Sequence, residues 1–180
     1  EEQLAVITGL WETAPGDTFS FAGEHYQLPG SPPLPKPVQS PRPPILIGGG
    51  GAKRTPRLAA TYADEFNMPF SSLDDTAAAF DRVRAACEAR DRDPGDVVYS
   101  AAQVVCVGAD EAEVARRAQA IGREPAELRE NGAAGTPDEV VERLRAFAAL
   151  GATRAYLQVL DLHDLEHLQL IAEAVAPHLR

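Results

Sequence analysis

Cysteine is scarce in this chain of 180 residues, which has only Cys87 and Cys106, and these are not in CxxC spacing. Neither a disulfide framework nor a thiolate metal site is therefore indicated. Cys87 falls in a helical pattern and Cys106 in a strand pattern, so both are expected as buried free thiols, in keeping with a reducing cytoplasm. There is no HExxH motif. His163 and His167 stand four apart, but no third ligand accompanies them, and no metal is expected. No serine or cysteine sits in a nucleophile elbow. No apolar run approaches the roughly 20 residues that cross a bilayer, and no signal-peptide pattern opens the chain. The expectation is a cytoplasmic protein without a membrane partner.

Positive charge is also short: 17 lysines and arginines face 27 acids, a net charge of −10, which argues against nucleic acid as a partner. The distribution says more than the total. Between Glu24 and Asp64 there is no acidic residue, yet Lys36, Arg42, Lys53, Arg54 and Arg57 all lie there. Such a stretch suggests that an anion is met in this region. The chain opens at Glu1 in what already reads as a helix, without an initiating methionine, so 1–180 is expected to be a single partial domain.

Leu4, Val6, Ile7, Leu10 and Trp11 repeat at helical spacing, and Pro15-Gly16-Asp17 ends that helix. Thr18–Phe21 and His25–Leu28 flank Gly23 as a small hairpin or flap. A proline-rich insertion at about 29–44 is unsuited to helix or sheet interior and must be an extended surface excursion. Ile45-Leu46-Ile47 reads as a strand buried on both faces, and a helix begins near Thr55, with Pro56 in its first turn. A strand at Asp64–Met68, a Ser72-capped helix to about Arg90 and a strand at Val97–Val107 follow. The next helix runs from Asp110 to about Ile121. The 122–134 stretch is ambiguous. Thr136-Pro137-Asp138-Glu139 opens a further helix with a capping box, Gly151 ends it, Ala155–Leu160 forms a last strand, and a helix from Leu165 to Val175 stops before Pro177. Four β-α units imply a parallel α/β sheet with right-handed crossovers. Such a sheet is either doubly wound or half of an eight-stranded barrel.

Chemistry concentrates where the strand ending at Ile47 runs through Gly48, Gly49, Gly50 and Gly51 into Ala52-Lys53-Arg54-Thr55. Glycines bring backbone N–H groups close to a ligand, a helix N-terminus adds unpaired donors and partial positive charge, and Lys53 and Arg54 can add charge-assisted contacts. The pattern is not GxxxxGK[ST]. A Rossmann-type nucleotide-binding domain remains open, with Asp64-Glu65 near the distance of its ribose-binding acid, as does a tight turn without ligand. His25 is a weaker candidate on the flap. Asp161, His163 and Asp164 follow the last strand and read best as a solvated turn capping the final helix.

Several ordered blocks resemble one family: Thr18–Tyr26, Leu34-Pro35-Lys36-Pro37-Val38-Gln39, Pro43–Gly51, Arg57–Asn67 and Gly135–Val140. The chain resembles the luciferase-like monooxygenases, and among them the oxidoreductases that use deazaflavin coenzyme F420. The resemblance spans essentially the whole chain. It implies a (β/α)₈ barrel, of which this chain is the second half, about four βα units. Coenzyme F420 or FMN would sit at the C-terminal mouth, held at its phosphate by Gly49, Gly50 and Gly51, with Gly48, Lys53 and Arg54 adjoining. It implies hydride transfer between reduced (deaza)flavin and a small-molecule organic substrate, a homo-oligomer in full-length form, and a proline-rich segment over the substrate entrance. The family's first four strands, which carry much of the ring-contact surface and the substrate-side groups, have no counterpart here. No catalytic residue is therefore assigned, and the fragment is expected to be inactive alone. Glu65-Phe66 departs from the family's usual glycine-tryptophan and changes the pocket wall. A half-barrel that serves as a non-catalytic binding or assembly module is the alternative of a different class.

Overall fold

The computed structural model describes residues 1–179 and divides into two compact units, Glu1–Ile45 and Leu46–Arg180. In the first unit helix α1 (Glu2–Glu12) precedes an antiparallel ribbon of β1 (Phe19–Ala22) and β2 (Gln27–Ser31). The Glu2 carboxylate accepts the N–H groups of Glu24, His25 and Tyr26 at 2.7–3.0 Å, fastening the hairpin turn to the helix. The His25 N–H is the largest of the influences that hold this carboxyl below its ordinary value. Pro29 lies within β2, which a two-stranded ribbon tolerates because edge positions need not donate. Residues 32–45 have no regular structure, as the proline content demands.

In the second unit β3 (Leu46–Gly48), β4 (Glu65–Pro69), β5 (Val98–Val107) and β7 (Arg154–Gln158) lie side by side in that order, all parallel. Between β5 and β7 in sequence, the short β6 (Ala133–Gly135) pairs with the last three residues of β5. The helices are α2 (Arg54–Tyr62), α3 (Leu73–Glu88), α4 (Glu111–Ala120), α5 (Pro125–Asn131), α6 (Pro137–Ala149) and α7 (Leu165–Leu170). The expected βα order is present, with boundaries moved by one or two residues.

Alternation along the strands sorts the two faces. Phe66 and Met68 of β4 pack with Ala59, Ala60, Ala63, Ala79, Phe80, Val83 and Tyr99 in one core cluster. Phe80 lies edge-on to Tyr99 with centroids 5.0 Å apart. Each fully buried large side chain contributes about 1.5–3 kcal/mol through removal from water. Leu157 of β7 packs against a second cluster of Val105, Val107, Val140, Val141, Leu144 and Val175. Cys87 and Cys106 are buried free thiols, as expected, and burial raises both above the ordinary thiol value.

Three stretches differ from expectation. The strand expected to be buried on both faces, β3, has Leu46 49% exposed. The ambiguous 122–134 segment holds α5 and β6, and β6 is Ala-Ala-Gly, a composition with no strand signal of its own. The C-terminal helix does not stop before Pro177. After α7 a wide turn (Ile171–Val175) and a 3-10 turn (Ala176–Leu179) continue, with Pro177 near the start of the latter, where its missing N–H costs nothing.

Candidate cofactor-phosphate site

β3 ends at Gly48, the chain turns through Gly49, Gly50 and Gly51, and α2 opens at Arg54. Each glycine has its own reason to lack a side chain. A Cβ on Gly48 would lie 3.3 Å from the Asn67 carbonyl oxygen, and one on Gly51 would lie 2.5 Å from Thr55 Oγ1. Gly49 has φ +118°, a conformation that L side chains rarely adopt. The turn is braced from β4: Gly49 N–H donates to the Asn67 carbonyl at 3.2 Å, and Asn67 Nδ2 donates to Ser100 Oγ at 2.9 Å. The Gly49 donor is thus committed within the fold. No side chain caps α2, whose N-cap is Lys53, and Pro56 occupies its first turn. By contrast Ser72, Asp110 and Asp164 each cap their helix through a side chain. The result is a backbone cradle at the C-terminal end of a parallel strand, with an open helix N-terminus and exposed Lys53 and Arg54 beside it. That arrangement suits a phosphate.

Of the cations in the acid-free stretch, Lys36 is engaged within its own unit. Lys36 donates through Nζ to the carbonyls of Leu10 and Trp11 at 2.8 and 2.9 Å, and also to that of Thr13. It caps the C-terminus of α1. His25 is exposed in the hairpin turn. The Rossmann alternative needs an acid at the C-terminal end of the second strand. Asp64 precedes β4 and Glu65 begins it, buried and ion-paired with Arg154, so neither stands where that contact requires.

At the far end of the sheet Asp164 caps α7 by accepting from His167 N–H at 2.9 Å, as expected, and Asp161 accepts from His163 N–H. His163 is exposed while His167 is buried. Among the described residues no group of three or more His, Cys, Asp or Glu could hold a metal. Sequence reading missed what lies beside them. Arg117, 4% exposed, donates to Asp164 at 2.8 Å and to the Val107 carbonyl at 2.7 Å, while His167 Nε2 accepts Val107 N–H at 2.9 Å. Both main-chain polar groups of Val107 are thus held at the end of β5. The Arg117 guanidinium holds Asp164 down to about 2, and burial depresses His167.

Comparison with known proteins gives a consistent result. An F420-dependent secondary alcohol dehydrogenase, solved with an F420-acetone adduct, superposes with TM-score 0.82 at 16% identity, over 99% of this chain and 60% of that one. The coenzyme F420-dependent tetrahydromethanopterin reductase of Methanopyrus kandleri gives 0.78 at 14%, over 99% and 62%. EDTA monooxygenase from Chelativorans sp. BNC1 gives 0.76 at 19%, over 99% and 59%. At these identities the likeness shows the fold, and the chain spans about three fifths of each of these structures. The model of one family, described as luciferase-like monooxygenase, matches residues 1–134. On that match this chain belongs to the luciferase-like monooxygenase family.

Proposed function

We propose that this chain is the cofactor-phosphate half of a (β/α)₈-barrel oxidoreductase. That enzyme passes hydride between a reduced deazaflavin or flavin, coenzyme F420 or FMN, and a small organic molecule. Four adjacent parallel strands with their helices are the content of half an eight-stranded barrel. The observation that carries the reading is the glycine turn at the C-terminal end of β3, braced by Asn67 and opening onto an uncapped helix, within a luciferase-like fold. Barrel ligands bind at that end of the strands. The cofactor would supply the redox chemistry; Gly50 and Gly51 would bind its phosphate by backbone N–H, with Lys53 and Arg54 adding charge. Solved relatives that carry F420 in their descriptions stand beside monooxygenases in the comparison, so the choice between F420 and FMN is made by experiment.

The test is fluorescence quenching of F420, FMN and NAD by the gene product that contains this sequence. Saturable binding of F420 or FMN is expected, weakened by Gly49→Val and Gly50→Val. Gly49→Val strains a left-handed backbone position, and Gly50→Val brings a side chain to 3.2 Å from Met68 Cε in the cradle. Loss of hydrogen bonds to a charged phosphate corresponds to a roughly ten- to hundredfold rise in Kd. Binding of NAD alone, or an affinity indifferent to both substitutions, sinks the proposal.

A further inference from the structure

β4 leads into α3 through Phe70, Ser71 and Ser72, at the C-terminal end of the strand. Phe70 has φ +48°, in the left-handed region. Among the described residues the other non-glycine position of this kind is Asp91. Aspartate tolerates that conformation, whereas a bulky aromatic residue there is an outlier. Strain of this sort persists where the surroundings over-determine it, and it clusters at ligand sites.

The surroundings of Phe70 do so through hydrogen bonds. Phe70 N–H donates to the Ala102 carbonyl at 2.8 Å, one step beyond the last β4–β5 pair, Pro69 and Ala102. Ser71 Oγ donates to the Pro69 carbonyl at 2.8 Å, and Gln103 Nε2 donates to the Ser71 carbonyl at 3.0 Å. Gln103 is 1% exposed, stands between Ala102 and Val104 on β5, and has no hydrogen-bond partner at Oε1. A buried amide with an orphaned oxygen is costly. An apolar residue would serve the core better, and what Gln103 adds is its hold on the turn. These clamps lie wholly within β4, β5 and the approach to α3. The ring they fix is not used by the core: Phe66, Phe80 and Phe147 are at most 1% exposed, while Phe70 is 50% exposed and belongs to no core cluster.

We propose that Phe70 is a specificity-determining residue, an apolar wall beside the glycine cradle that selects an organic substrate carrying a flat apolar ring. Gln103 is its positioning residue. The inference rests on the proposed function and names the substrate class for the same site. Adjacency follows from the sheet: β3 pairs with β4, Gly49 N–H bonds the Asn67 carbonyl, and neighbouring strands stand about 4.8 Å apart. In F420 and FMN alike a polyhydroxylated chain separates the phosphate from the ring system. A phosphate held at the β3 turn leaves phosphate and polyol, both polar, nearest to the end of β4. A phenyl ring is matched by neither; it gains by covering an apolar group, in proportion to the area removed from water. The apolar molecule that comes to this end of the strands is the substrate.

The gene product that contains this sequence, loaded with F420 or FMN, is titrated calorimetrically with 2-acetonaphthone and with acetone, which share a carbonyl and differ in the ring. Acetone is expected to bind roughly tenfold or more weakly than 2-acetonaphthone. Phe70→Asn removes the ring and relieves the strain, and should weaken 2-acetonaphthone by roughly tenfold or more. In that variant the cofactor Kd should be unchanged and Tm no lower, while Phe70→Tyr should keep the affinity for 2-acetonaphthone. Gln103→Leu should weaken 2-acetonaphthone in the parent but add nothing to Phe70→Asn, a non-additivity that a merely structural role would not give. No preference for the naphthyl ketone, or an affinity indifferent to Phe70→Asn, overturns the inference. So does a lowered Tm or a weakened cofactor in that variant, since the ring would then serve packing or the cofactor. Each of these failures, in a protein that still binds F420 or FMN through the glycine turn, leaves the cofactor reading standing. Binding of neither cofactor sinks that reading and this inference with it.

Discussion

Arg117, Asp164 and His167 secure the peptide of Val107 where β5 leaves the sheet, and the arrangement works only with a neutral imidazole. Nε2 accepts the Val107 N–H, so it carries no proton, and burial first, then the neighbouring Arg117, disfavours the imidazolium. The folded-state value of His167 therefore lies below the roughly 6.5 of an unfolded chain. The unfolded state takes up this proton first as pH falls. The stability from neutral His167 is present in full above about 6.5 and is lost as pH falls through the folded value. Asp164, held at about 2, keeps its charge throughout that window. Urea unfolding at pH 7.5 and pH 5 should show a lower midpoint at the acid value. His167→Leu should be less stable at neutral pH and should lose much of the difference between the two; an unchanged difference would assign the pH dependence elsewhere. Little of this was legible in sequence. Arg117 sits beside Arg116 on α4, and its partner Asp164 is 47 positions away, so only the fold brings the charges together. Glu65 and Arg154, 89 apart, are a second case. The glycine turn was legible because its residues are consecutive and their backbone demands are local.

At the scale of elements, what could be read ahead was what local chemistry dictates. Thr136 and Glu139 form the expected capping box at α6, Ser72 caps α3 by accepting from Asp75 N–H, and Gly151 follows α6 with φ +103°. α5 and β6 escaped because a seven-residue helix without a side-chain cap and an Ala-Ala-Gly strand owe their existence to β5 rather than to propensity. The capping box yields a quantitative expectation. Thr136→Ala removes one half of it and should cost about 1 kcal/mol by chemical denaturation. The Thr136 N–H is the chief influence holding Glu139 below its ordinary carboxylate value. This part of the stability is present above about pH 4.5 and fades as pH falls through the lower folded value. A Thr136→Ala protein equal to its parent at neutral pH would mean that α6 is held by packing of Val140, Val141, Leu144 and Phe147 alone.

On the proposed function, the whole molecule would separate anchoring from chemistry. The glycine cradle would hold a phosphate, which is far from the reacting end of a deazaflavin or flavin and is bound equally in ground and transition states; such binding lowers Kd without raising kcat. Rate acceleration requires groups placed at the ring and at the substrate, and on the sheet face opposite the helix-packed one Arg154, Tyr156 and Gln158 are exposed rather than enclosed in a pocket. The 180-residue chain is therefore expected to bind F420 or FMN through its phosphate end while leaving the reoxidation of reduced cofactor by any organic acceptor at the rate of the buffer blank. Anaerobic stopped-flow with pre-reduced cofactor at saturating chain makes the comparison directly, and inorganic phosphate should compete for the same cradle. Turnover on the order of 1 s⁻¹, ordinary for an enzyme, would show that this chain holds ring and substrate surfaces as well as the phosphate anchor. The half-barrel reading would then give way to a complete active site.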